Sequence, residues 1–163
     1  MLEAYRVRLA VPDDADLISK HRALMYLDMG SVNPEESEKL REACRPYLRN
    51  LLESGQYLGW LVEDVNDGVV AGAGVSFREL APHPGCYRAA RSASIGNVYT
   101  TPIHRRRGLA RMLMEHILRW CDEHAIDQIT LSASEQGRSL YRLLGFVPTE
   151  DMRLQVFGKD RIG

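Results

Sequence analysis

The sequence predicts a mixed α/β fold, a central twisted mixed sheet of about six to seven strands flanked by about four helices. Apolar residues alternate at period two over several short runs, whereas over residues 108–124 they recur at helical spacing. Two valine-rich runs are joined by Asp67-Gly68, a hairpin-turn signal. The passage from Ser94 to Ala133 reads strand, long helix, strand, which calls for a right-handed parallel crossover. At 163 residues and 18.5 kDa, residues 1–163 make one domain with a substantial core.

In chain order, Tyr5 to Ala10 alternates Arg6 and Arg8 with Val7 and Leu9, the pattern of a half-buried strand. Pro12 and Asp13 open a helix that runs to about Met29 and stops at Gly30. Asn33-Pro34-Glu35-Glu36 supplies an N-cap, a first-turn proline and a capping-box glutamate for a second helix ending at Gly55. Pro46 lies inside it and removes a backbone donor, so a kink or split is expected. Tyr57–Asp64 and Val69–Phe77 form the hairpin strands. The stretch from Glu79 to Ala90, with Pro82, Pro84 and Gly85, is a long loop of the kind that borders sites. Ser94–Thr101 is a strand in which Gly96 marks a bulge or a close backbone approach. Leu109, Met112, Leu113, Ile117 and Trp120 give the best helix in the chain, 108–124. Gln128–Ala133 is a short buried strand, Ser134–Leu144 a helix closed by Gly145, and Met152–Phe157 an alternating last strand.

The charge balance narrows the function classes. Lys plus Arg number 21 against 22 for Asp plus Glu, a net charge of -1, which argues against a chain that wraps nucleic acid or anionic lipid. No apolar run approaches the ~20 residues of a membrane span. The start, Met1-Leu2-Glu3-Ala4-Tyr5-Arg6, lacks a signal-peptide pattern, so a cytoplasmic address is expected. Cys44, Cys86 and Cys121 are scattered and read as reduced thiols. His116 and His124 have no H-E-x-x-H or cysteine cluster beside them, so His116 reads as a packed or subunit-facing residue and no metal is predicted. Ser132, Ser134 and Ser139 lack a G-x-S-x-G turn and read as strand and cap residues.

The segment from Pro102 to Ala110 lies between a strand and the strongest helix. Three successive arginines alone read as a solvated basic turn. At a helix amino terminus, with Gly108 and Ala110 keeping the backbone accessible, they make an anion site. Neither the P-loop nor the dinucleotide pattern is present. Arg105 to Ala110 does match R-x-x-G-x-A, preceded by Asn97-Val98-Tyr99-Thr100-Thr101-Pro102 and followed by Leu140-Tyr141-Arg142-Leu143-Leu144-Gly145-Phe146. In these motifs the chain strongly resembles the GNAT superfamily of N-acetyltransferases, clearly from about Ile95 to Leu154 and in element order before that.

The resemblance implies acetyl-coenzyme A as co-substrate and direct attack by an acceptor amine in a ternary complex. It implies that Arg105, Arg106, Arg107, Gly108, Leu109 and Ala110 hold the pyrophosphate, and that backbone groups of Val98, Tyr99 and Thr100 pair with the pantetheine arm as an added strand would. Ser134, Gly137 and Tyr141 share one helix face. The resemblance makes Tyr141 the acid that protonates the departing thiolate; otherwise a buried tyrosine at a core edge is packing with a satisfied hydroxyl. A phenol near pKa ~10 and a thiol near ~8.5 are close enough for that transfer in a desolvated site. Many relatives carry asparagine in place of Ser134, which also reads as a plain N-cap. Residues Ser94–Thr101 hold no Asp, Glu or His to deprotonate the amine, leaving water, Glu79 or His83. Relatives seat substrate between the first helices and the central strands, so Met25, Tyr26, Met29 and Tyr47 are candidates for the acceptor pocket or for plain core. The acceptor class stays broad, a small-molecule or peptide amine, and a homodimer through strand edges is possible in principle. The missing base keeps open a catalytically silent coenzyme A binding or sensing module.

Overall fold

The computed structural model describes residues 4–155, which fall into two compact units that part after Ser132. In the first, the elements follow as β1 (Tyr5–Leu9), α1 (Ala15–Asp28), α2 (Pro34–Ser54), β2 (Tyr57–Asp64), β3 (Gly68–Leu80), β4 (Ala90–Thr100), α3 (Leu109–Glu123) and β5 (Gln128–Leu131). The strands form one sheet in the order β1-β2-β3-β4-β5. Neighbours are antiparallel except β4 and β5, which are parallel and joined through α3.

Alternation along β2 sends successive side chains to opposite faces. Tyr57 and Leu61 join Ala15, Ile18 and Leu48 in a buried cluster under α1 and α2. Trp60 turns the other way and meets Trp120 of α3 edge-on at 6.0 Å, and Phe77 packs on the same indole at 5.4 Å. Leu113, Met114 and Ile117 of α3 are fully buried.

The capping box of α2 is formed: Glu36 N–H donates to Asn33 Oδ1 at 2.8 Å and Asn33 N–H to Glu36 Oε2 at 2.9 Å. Gly55 closes the helix at φ +73°, a conformation that glycine adopts without a steric penalty. Contrary to expectation, Pro46 does not split this helix, which runs unbroken from Pro34 to Ser54. Ion pairs join both halves to the start of α1 and the short 3-10 turn, Pro12–Asp14, that precedes it. Arg41 and Arg45, before the proline, bind Asp16, while Arg49, after it, binds Asp13.

His21 on α1 is only 3% exposed, and burial pulls its imidazole down to about 4. Folding therefore disfavours its protonation. The resulting stability is fully present above the unfolded value of about 6.5 and is lost as pH falls toward 4, by up to ~3 kcal/mol. Thermal unfolding followed from pH 7 to 4 should show this loss, and His21→Met should flatten it.

In the second unit, α4 spans Arg138–Leu143, shorter than the Ser134–Leu144 expected. Ser134 Oγ accepts the Gly137 N–H at 3.1 Å, so the serine caps a turn before the helix instead of opening it. Gly145, at φ +96°, follows the end of α4. The sheet has five strands among the described residues, not six to seven. Met152–Gln155 are irregular, with Met152 and Leu154 almost wholly exposed; Val156 and Phe157 lie outside the described residues. Alternating apolar residues make a strand only where a neighbouring edge takes their backbone groups and a layer covers their apolar face.

Candidate functional site

The site of the first unit grows from an irregularity in β4. Gly74 of β3 lies opposite Gly96, but Gly72 lies opposite Tyr99, so Asn97 and Val98 together face one residue. This is a β-bulge. The residue with positive φ is Asn97, at +55°, and not Gly96, since asparagine tolerates the left-handed region better than most side chains do. Parallel pairing of β4 with β5 covers only Ser92–Ile95, so the β4 edge beyond Ile95 has no β5 partner. A chain with free backbone donors and acceptors can add there as a strand.

At the end of β4 the chain makes a short 3-10 turn, Pro102–His104, and enters α3 through Arg106 at φ +62° and Gly108 at φ +81°. Among the described residues, the N–H groups of residues 106–111 have no acceptor. Donors converging at a helix amino terminus, where the dipole adds partial positive charge, form an anion cradle. The arginine side chains are less free. Arg105 Nε donates to the Thr100 carbonyl at 2.9 Å and its Nη2 to Asp28, while Arg107 Nη1 donates to Tyr5 Oη at 3.0 Å. Arg106 is exposed and Leu109 is buried, so Leu109 offers the cradle only its amide.

Behind this loop lies a hydrogen-bonded chain with no signal in the sequence. Tyr5 Oη bonds His104 Nδ1 at 2.9 Å, and His104 Nε2 bonds Asp67 Oδ2 at 2.8 Å. His104 is buried, so this chain ties the cradle to β1 and to the β2–β3 hairpin.

Beside the bulge, α1 and α2 and the strands β2, β3 and β4 border an open cavity of about 230 Å³. Its wall includes Arg22, Tyr47, Tyr57, Ser76, Ser94 and Asn97. Asn97 organises it: Arg22 Nη1 donates to Asn97 Oδ1 at 2.9 Å, and Asn97 Nδ2 donates to Tyr57 Oη at 3.1 Å. Burial pushes the Tyr57 phenol up to about 12, so it stays neutral. Of the acceptor-pocket candidates, Tyr47 lines the cavity and Tyr26 Oη accepts a weak bond from Arg22 at 3.4 Å; Met25 and Met29 are not on the wall. Glu79 pairs with Arg91, five residues along β4 from Gly96, or ~17 Å at the rise of a strand, and His83 lies beyond the end of β3. Neither reaches the bulge.

Gly74 lets Tyr57 lie flat on β3. A Cβ on Gly74 would stand 2.1 Å from Tyr57 Oη and 2.8 Å from the Leu58 carbonyl oxygen, neither of which can move freely. Gly74→Ala should cost about 1–3 kcal/mol of stability through overpacking. Denaturant unfolding would measure it.

In the second unit, Tyr141 is 8% exposed and burial raises its phenol pKa. Its ring lies on Gly137, where a Cβ would come within 2.7 Å of it, and meets Phe146 edge-on at 6.1 Å. Gly137 therefore serves as the gap that admits the ring.

The family model described as the acetyltransferase (GNAT) family matches residues 23–146. This chain belongs to the GNAT acetyltransferase family. A GCN5-related N-acetyltransferase from Ralstonia eutropha JMP134 is 30% identical, with a TM-score of 0.85 over 94% of this chain and 99% of that one. A predicted acetyltransferase from Clostridium acetobutylicum, in a crystal structure with acetyl-CoA, is 27% identical, with a TM-score of 0.80 over 93% of this chain and 96% of that one. Glucosamine-6-phosphate N-acetyltransferase from Arabidopsis thaliana shares the fold at 16% identity and a TM-score of 0.63, covering 94% and 99%. No curated protein matches the chain significantly.

The GNAT co-substrate carries a diphosphate and an amide-bearing arm, and this chain offers a fit for each. The free amides of residues 106–111 suit the diphosphate, and the open β4 edge at Val98 suits the arm. Thr100 fits less fully, because its carbonyl already accepts from Arg105. Tyr99 turns its side chain into the protein, 5.0 Å from His21, leaving only its backbone for a ligand. His116 Nδ1 bonds the Met112 carbonyl within its own helix, and His124 stacks on Trp120 at 3.9 Å. No cluster of three or more His, Cys, Asp or Glu among the described residues is placed to hold a metal, and no helix among them is long and apolar enough to cross a membrane.

Proposed function

We propose that residues 1–163 act as one acetyltransferase domain that moves an acetyl group from acetyl-coenzyme A to a primary amine of a small molecule or peptide. The unsatisfied amides of residues 106–111, beside an open strand edge, carry this reading. Acetyl-coenzyme A supplies an acetyl group already activated as a thioester. The amides of Arg106 to Ala110 hold its diphosphate, with the exposed Arg106 side chain adding charge, while Arg105 braces the loop. Val98 and Thr100 orient the pantetheine arm by backbone bonds. The acceptor nitrogen bonds to the acetyl carbonyl carbon, the carbon–sulfur bond breaks, and Tyr141 Oη gives its proton to the sulfur; water then carries the proton lost by the nitrogen back to the phenolate. Ser134 and Gly137 shape the turn and the gap that set the Tyr141 ring.

Among the described residues the cavity wall has no carboxylate and no histidine, which favours loss of the acceptor's own proton through water. Without a protein base, kcat/KM should rise with pH until the acceptor ammonium has itself titrated. The test of the function is an acetyl-transfer assay over a panel of amines, reading free thiol and the mass of the product. A silent coenzyme A binding module is the second reading, favoured by the absent base. It predicts tight binding with no amine acetylated.

A further inference from the structure

We infer that the acceptor is a primary amine that carries an anionic group, and that Arg22 is the residue that selects it. The inference rests on the transferase reading, because it takes the cavity beside the β4 bulge as the acceptor pocket. Three described arginines are neither buried nor fully exposed: Arg8, Arg22 and Arg41. Arg8 is paired with Asp14 and Glu63, and Arg41 with Asp16 and Glu38. Arg22 has no carboxylate partner among the described residues. Its contacts are the neutral Asn97 Oδ1 and Tyr26 Oη, with the Tyr26 ring 5.1 Å from its guanidinium carbon.

A half-buried cation without a counter-ion has lost hydration that no opposite charge replaces. An incoming anion removes that deficit and gains charge-assisted bonds, which are roughly twice as strong as neutral ones. Asn97 and Tyr26 use only part of the guanidinium fork, which has five donors, and the rest borders the cavity. A carboxylate or a phosphate oxygen would suit it equally.

The remaining wall excludes the opposite charge. Tyr47, Tyr57, Ser76, Ser94 and Asn97 supply neutral hydroxyl and amide groups, and no described acid lines the cavity to hold an additional ammonium. A polyamine or a polycationic sugar would meet Arg22 with no compensating anion. Asn97, held at the bulge by its left-handed backbone, fixes the guanidinium beside the open β4 edge.

The test uses matched probes on the full chain: amino acids against their carboxamides, phosphoethanolamine against ethanolamine, and spermidine. The first pair reads a carboxylate and the second a phosphate. The expected result is a KM at least tenfold lower for the anionic member of one pair. Arg22→Gln should erase that difference and Arg22→Lys should restore part of it, and an acetyl-coenzyme A isotherm on each variant separates loss of the anion contact from disturbance of the bulge that Arg22 helps to hold. Calorimetry on protein loaded with coenzyme A reads the same preference without turnover. An anionic preference in binding, lost in Arg22→Gln, supports the inference even if no probe is acetylated, a result that would instead overturn the transferase reading. Equal or better use of the neutral member in both pairs, use of spermidine as good as that of the best anionic probe, an Arg22→Gln variant with the same preference, or binding of no probe would overturn it.

Discussion

Tyr141→Phe should lower kcat by about a hundredfold to ten-thousandfold while acetyl-coenzyme A binds as before. The substitution removes one oxygen and leaves a ring of the same shape, so the packing on Gly137 and Phe146 is kept. Any loss of turnover then reports the proton and not the fold. Burial raises the phenol pKa, which keeps Tyr141 protonated across the neutral range and available as a donor. Activity depends on the protonated phenol, so the alkaline limb of kcat should lie above the ordinary phenol value of about 10. In the variant that limb should vanish. Steady-state kinetics with a coenzyme binding isotherm for each protein would decide it. An unchanged kcat would remove Tyr141 from the proton transfer, and a wild-type protein without turnover would favour the silent module.

What the sequence reveals of this site depends on how local each cause is. The α2 caps are legible because Asn33, Pro34, Glu36 and Gly55 act on backbone groups within a turn of themselves. The anion cradle is legible for the same reason: a glycine before a strong helix places free amides whatever the rest of the chain does. The bulge is half legible. Gly96 marks the right place, but the residue that bends is Asn97, held by Arg22 and Tyr57, 75 and 40 residues away. No periodicity reports such a pair. Pro46 misleads because α2 is packed on the core on both sides of it, with Cys44 before the proline and Leu48, Leu51 and Leu52 after it, and no local pattern reports that packing. Arg105 is legible as part of the motif, but its partner Asp28, 77 residues away, is not. The last strand fails because alternation describes a face and cannot supply the partner that face needs.

The cradle makes the second large prediction. Gly108 caps α3 at φ +81° with nothing within 4 Å of where a Cβ would stand, so the position is open but conformationally forbidding to a branched side chain. Gly108→Val has two consequences. The left-handed conformation costs roughly 1–2 kcal/mol for a residue with a Cβ, and more for a branched one. If the turn relaxes to avoid that cost, the amides of residues 106–111 no longer converge; if it does not, the isopropyl group stands in the space by which a diphosphate approaches. Either route should weaken acetyl-coenzyme A binding by about ten- to a hundredfold, that is ~1.4–2.8 kcal/mol. Strain alone must be separated from loss of the cradle, and Gly55 provides the comparison. It ends α2 at φ +73° with equally open surroundings and takes no part in the loop. Gly55→Val should lose comparable stability in thermal unfolding yet bind the coenzyme normally in calorimetry. If both variants bind it normally, the amides ahead of α3 are not the anchor, and the diphosphate must be held elsewhere.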